Sequence, residues 1–170
     1  TDSTYDAGPT TQLMWGARSD VGCVRPHNED SYLVQSPLFC VCDGMGGHAA
    51  GEVASSIAVE TIAKTAPQSA DAARLAAAVE AANAAVIEAA LNGLGKPGMG
   101  CTATCAYIEN DTLAIAHVGD SRAYLLHEGT LIRVTRDHSY VEELVDAGEI
   151  TADEARVHPN RCLLYTSPSP

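Results

Sequence analysis

Four short stretches carry residue types that could do chemistry together. They are Arg25-Pro-His-Asn-Glu29-Asp30, Asp43-Gly-Met-Gly-Gly-His48-Ala-Ala-Gly51-Glu52, Gly98-Met-Gly-Cys-Thr102-Ala-Thr104 and His117-Val-Gly-Asp120-Ser-Arg122. Asp43 closes the apolar run at 38–42, so its carboxylate is pressed against a buried edge. An unpaired charge there is expensive, and a partner or a metal is the usual remedy. Gly44, Gly46 and Gly47 let the backbone turn sharply and offer a carbonyl to the same ion. Asp120 stands likewise in a tight turn between two apolar runs. Hard oxygen donors of this kind suit magnesium or manganese better than zinc.

Each stretch also has a plain structural reading. Asp120 could cap its turn and pair with Arg122, and Arg25 with Glu29 could be a surface ion pair. His48 could be an ordinary residue at a helix start, and Gly98-Met-Gly100 a flexible link. A nucleotide loop is a sharper rival, because 44–49 places glycines between a strand and a helix. Asp43 would repel a bound pyrophosphate, and another helix follows where a dinucleotide fold needs a parallel strand.

The elements that must position these residues follow from periodicity and turn chemistry. A strand is expected at 13–18, then two at 31–35 and 38–42, split by Ser36-Pro37 and therefore antiparallel. A helix begins near His48 with Ala50, Val53, Ala54 and Ile57 at helical spacing, and Pro67 ends it. A second runs over 70–91 with Leu75, Val79, Ala82, Val86 and Ala90 along one stripe, stopped by Gly93 and Gly95. Strands at 102–108, 113–118, 122–126 and 131–134 have links too short for parallel crossovers, so antiparallel neighbours are expected. A short helix at 140–146 closes the series. The expected class is α+β, two mainly antiparallel sheets packed face to face with helices outside, an α/β/β/α sandwich.

Composition narrows the function classes. The chain has 170 residues and a formal charge of -12, which repels nucleic acid. No apolar run is long enough to cross a bilayer, so the expectation is a cytoplasmic, membrane-free monomer. Six cysteines occur, but Cys40 and Cys42 lack a second matching pair for zinc and read as small core residues in a reducing compartment.

In this order the four stretches resemble the type 2C (PPM-type) family of metal-dependent protein serine/threonine phosphatases, in its bacterial style. The resemblance runs from about residue 13 to 161, and DGMGGHAAGE is its most specific segment. It implies hydrolysis of phosphoserine and phosphothreonine in proteins by a metal-activated water, with two Mn2+ or Mg2+ ions and a third, weaker one. Asp43 resembles the bridging aspartate, the Gly44 carbonyl its neighbouring ligand, and Asp120 the ligand of the third ion. Glu29 resembles an acid that holds metal through water, with Asp30 and Thr102 behind the first ligands. Arg25 resembles the arginine that grips the substrate phosphate. His48 is the candidate general acid, although some relatives carry a histidine where this chain has Met45. Phosphorylated proteins, a serine/threonine kinase among them, are the implied partners. The alternative is a catalytically silent phosphoprotein-binding module of the same fold.

The resemblance also sets domain expectations. Residues 1–10 read as a flexible tail, 11–161 as a partial phosphatase domain with a flap-like segment at about 136–158, and 162–170 as a non-native or disordered tail. Cys101 stands where relatives usually carry threonine. Two further aspartate ligands of the family have no match after Arg161, so a chain of this length is expected to bind metal poorly and to have little activity.

Overall fold

The computed structural model describes residues 2–7, 12–47 and 49–138. Nine strands and two helices occur among them, in the order β1 (Asp2–Ala7), β2 (Gln12–Ala17), β3 (Asp30–Gln35), β4 (Leu38–Met45), α1 (Ala50–Thr65), α2 (Ala72–Leu91), β5 (Gly100–Cys101), β6 (Ala103–Glu109), β7 (Thr112–Val118), β8 (Tyr124–His127) and β9 (Thr130–Arg133). The main sheet has the order β3-β4-β6-β7, with β5 added to the far end of β4. β1-β2 and β8-β9 form two-stranded ribbons, and every pairing is antiparallel.

Period-two alternation assigns the faces of the main sheet. Leu38, Cys40, Cys42 and Gly44 of β4 are buried under the helices, while Val41 and Asp43 point the other way and are exposed. α1 lies on β3 and β4, and α2 lies on α1 and β7. Ala50, Ala54 and Ala58 of α1 and Ala78, Ala82 and Ala89 of α2 keep this layer thin, around Ile62 and Leu75, both fully buried. Asp71 caps α2 by accepting a hydrogen bond from the Arg74 amide, and α1 stops just before Pro67. On the opposite face Trp15 of β2 meets Phe39 of β4 edge-on, with ring centroids 5.6 Å apart. The described layers are thus helix, sheet and ribbon. Tyr32, Val34 and Val41 stay exposed on that second face.

Several expectations change. Residues 2–7, read as part of a tail, form β1 in register with β2, Asp2 facing Ala17. β4 does not stop at Cys42. It continues through Asp43 to Met45 because β5 supplies partners for Gly44 and Met45. The strand expected at 122–126 does not pair with β7. Gly119 has φ 106°, the backbone leaves the sheet there, and β8 pairs only with β9. Glu128 and Gly129, both at positive φ, make the two-residue hairpin turn. On α2 the buried stripe is Leu75, Ala78, Ala82, Val86 and Ala89, with Val79 and Ala90 at its margin. The helix expected at 140–146, residues 139–158 of the flap-like segment and the tail at 162–170 lie outside the described residues.

Candidate metal centre

The centre is built where β3 begins and β4 ends. The register sets Asp30 directly opposite Asp43, so both carboxylates project from the exposed face at one end of the sheet. Like charges directly opposite across a pair of strands repel. Asp43 shows the consequence: burial first, then Asp30, then Asp120 push its carboxyl from the ordinary 3.8 up to about 6, while Arg25 pulls it down. Those three acids and one arginine are therefore within electrostatic reach of a single point. The Arg25 Nη1 lies 3.4 Å from Glu29 Oε2, with the Arg25 side chain 71% exposed and that of Glu29 14% exposed. The Arg25 guanidinium thus faces solvent beside a cluster of acids.

Backbone packing explains the glycines. A Cβ on Gly44 would overlap the Gly51 carbonyl group and lie 2.6 Å from the Glu29 carbonyl oxygen. A Cβ on Gly51 would sit 2.8 Å from the Glu29 side chain and from the Met45 amide nitrogen. The start of α1 can therefore approach β4 only because both residues lack side chains. The Gly44 amide donates to the Glu29 carbonyl at 3.1 Å, and Ser55 of α1 donates to the same oxygen at 2.7 Å. These two bonds hold Glu29 against the end of β4 that carries Asp43.

Thr102 is the hinge pin between the second and fourth stretches. It is 3% exposed. Its Oγ1 accepts from the Asp43 amide at 2.9 Å, its own amide donates to the Asp43 carbonyl at 2.8 Å, and its hydroxyl meets Ser121 Oγ at 2.7 Å. Through Thr102 the Asp43 backbone and the Asp120-Ser121 turn are tied into one unit.

Arg122 does not pair with Asp120. Its guanidinium binds Asp137 in bidentate fashion, at 2.7 Å from Nη2 and 3.0 Å from Nε, and holds the Asp137 carboxyl below its usual range. His117 anchors the same region: Thr104 Oγ1 lies 2.9 Å from Nδ1 and the Arg136 carbonyl 2.9 Å from Nε2, and burial pushes its imidazole down. The His138 amide donates to the Gly119 carbonyl at 2.8 Å. Residues 136–138 are therefore clamped onto the turn that carries Asp120.

The structure brings Arg25, Glu29, Asp30, Asp43, Gly44, Thr102 and Asp120 into one region; His48 lies outside the described residues. The donor set suits a hard divalent cation, since carboxylates and backbone oxygens are its natural ligands. It is a partial set: among the described residues, no three His, Cys, Asp or Glu side chains are close enough to hold a metal ion. Sequence reasoning missed Ser55, Ser121 and Asp137. Ser55 alone left a signal, a hydroxyl on the apolar face of a helix.

Comparison with known proteins places the chain in a family. A family model described as protein phosphatase 2C matches residues 16–144. The serine/threonine protein phosphatase PstP of Mycobacterium tuberculosis is 43% identical over 158 residues, covering 91% of this chain and 31% of PstP. The serine/threonine phosphatase stp of Listeria welshimeri is 38% identical over 159 residues, covering 86% of this chain and 63% of its own length. The crystal structure of M. tuberculosis PstP/Ppp superposes with a TM-score of 0.76 at 43% identity, covering 87% of this chain and 64% of that one. The PstP catalytic domain in complex with two manganese ions gives 0.72 at 43% identity, covering 81% and 61%. The chain thus spans less than two thirds of each of these relatives. With a family match across most of its length, the chain belongs to the protein phosphatase 2C family.

Proposed function

We propose that this chain forms part of a manganese- or magnesium-dependent phosphatase that removes phosphate from phosphoserine and phosphothreonine in proteins. The observation that carries the reading is the facing pair Asp30 and Asp43, with Asp120 and Arg25 in electrostatic reach of Asp43. Acids forced together favour a shared divalent cation, and family membership and the two manganese ions of PstP point the same way. In this reading Asp43, the Gly44 carbonyl and Asp120 hold metal, Glu29 does so through water, and Asp30 and Thr102 support them. When bound, the ions would lower the pKa of a water and neutralise phosphoryl charge. Arg25, projecting into solvent next to the acids, binds and orients the phosphate through its planar fork. His48 is proposed as the proton donor to the departing serine or threonine oxygen.

Phosphorylated proteins, a serine/threonine kinase among them, are the proposed partners, with the protein acting as a cytoplasmic monomer. Free thiols at Cys40, Cys42, Cys101 and Cys105 fit a reducing compartment. A second reading, a silent phosphoprotein-binding module, is favoured by the partial donor set among the described residues. Phosphate release from a phosphothreonine peptide with manganese separates the two readings. The assay uses this chain and the same chain extended to its relatives' length. Release by the extended chain, lost with EDTA and with Asp43→Asn, supports catalysis. Peptide binding without release, unaffected by Asp43→Asn, supports the module.

A further inference from the structure

Asp120 sits in a turn whose other residues are held in place. The Gly119 carbonyl accepts from the His138 amide at 2.8 Å, Ser121 Oγ meets Thr102 Oγ1 at 2.7 Å, and the Ala123 amide donates to Thr135 Oγ1 at 2.9 Å. The Asp120 carboxylate itself makes no hydrogen bond or ion pair among the described residues. A cation nevertheless stands two residues along the chain. Read locally, Arg122 is the natural partner of Asp120, because a guanidinium fork matches a carboxylate with two parallel bonds.

The structure gives that fork to Asp137. Arg122 Nη2 donates to Asp137 Oδ2 at 2.7 Å, and Nε donates to Oδ1 at 3.0 Å and to Oδ2 at 3.3 Å. The Asp137 side chain is 16% exposed, and Arg133 Nη1 lies 3.9 Å from its Oδ1. The residues on either side of Asp137 are pinned as well: the Arg136 carbonyl lies 2.9 Å from His117 Nε2, and the His138 amide is the donor to Gly119. A typical surface ion pair is weak because two long side chains must be ordered to make it. Here Asp137 is short, largely shielded and mounted on backbone that other bonds already fix.

We propose that Asp137 is a positioning residue for metal binding: by engaging both nitrogens of the Arg122 fork, it keeps that guanidinium off Asp120 and leaves the Asp120 carboxylate open to a divalent cation. Asp137 touches neither ion nor substrate in this role. An arginine bound to Asp120 would occupy the oxygens that a hard cation needs and would offset their charge. The inference deepens the phosphatase reading and rests on it, since it takes Asp120 to be a metal ligand. Asp137 lies outside the four stretches that carry the candidate ligands, so the competition between Arg122 and a cation is settled from elsewhere in the chain.

The test titrates manganese into the chain extended to its relatives' length and follows free Mn2+ by its electron paramagnetic resonance signal. Melting of each variant in EDTA checks folding. Asp120→Asn comes first and defines the part of the binding isotherm that Asp120 carries; if it changes nothing, the reading of Asp120 as a ligand fails and the inference falls with it. Asp137→Asn should weaken that part about tenfold and leave the rest unmoved. Arg122→Gln should bind manganese as the parent does, and the variant carrying both Asp137→Asn and Arg122→Gln should return to the parent's affinity. An ion pair with only a structural role behaves otherwise, because losing either partner then has the same effect. With Asp120→Asn effective, the proposal is overturned if Asp137→Asn binds like the parent, if Arg122→Gln weakens binding as much as Asp137→Asn does, or if the loss in Asp137→Asn falls equally on the ions that Asp120→Asn retains. Arg122→Gln can overturn it even where Asp137→Asn does not fold.

Discussion

Asp43→Asn should stabilise the metal-free protein while removing its response to manganese. A carboxyl moved from 3.8 to about 6 corresponds to about 3 kcal/mol at 1.36 kcal/mol per unit. Asp43 is more than a third exposed, so solvent screening reduces this to about 1 kcal/mol. The sign follows from the raised value. Below pH 3.8 the carboxyl is protonated both folded and unfolded, and its neighbours cost nothing. As pH rises from 3.8 through about 6, the unfolded chain ionises first and stability is lost. Asparagine escapes that loss, while Thr102 keeps its hydrogen bonds because both go to the Asp43 backbone. In EDTA at pH 7.5 the variant should therefore melt about 3 °C above the parent, and the gap should close near pH 4. Adding manganese at about 100 times its dissociation constant should stabilise the parent by about 2.7 kcal/mol. It should leave the variant unmoved. Differential scanning calorimetry under these conditions reads every arm. A variant that melts lower than the parent in EDTA, or that gains as much from manganese, refutes the reasoning.

Three other perturbations probe the supports of the centre. Thr102→Val keeps the shape but strips a buried hydroxyl from the Asp43 amide and from Ser121, and should cost about 1–3 kcal/mol in urea unfolding while weakening manganese binding. Gly44→Ala forces a methyl into the Gly51 carbonyl and should cost about 3 kcal/mol; a loss under about 0.5 kcal/mol would contradict the close approach of α1 to β4. Arg25→Ala should change stability by less than about 1 kcal/mol, because its pair with Glu29 is 71% exposed on the arginine side. In the extended chain it should raise KM for a phosphopeptide about tenfold, and lysine should not restore it, since a point charge cannot replace a planar fork.

How far the fold was legible varies by element. The β3–β4 hairpin was readable because Ser36-Pro37 interrupts two apolar runs at hairpin spacing, and α2 because its apolar stripe is stopped by Gly93. The far end of β4 was not readable. Gly44 and Met45 carry no strand signal of their own and are extended only because β5 arrives from 55 or more residues away to pair with them. The strand ascribed to 122–126 failed for a related reason: a short link guarantees that two strands can be antiparallel, not that they are bonded, and Gly119 turned the chain away.

For the site, residue type and local spacing alone determined which side chains could take part: acids at the ends of apolar runs, glycines where backbone must pass closely, an arginine four residues before a glutamate. The tertiary structure decided who meets whom. It set Asp30 against Asp43, gave Arg122 to Asp137 and not to Asp120, and made Thr102 the bridge between two turns. Local chemistry is written in neighbouring residues, whereas these meetings depend on strand register, and register emerges only when the whole sheet buries its inner face.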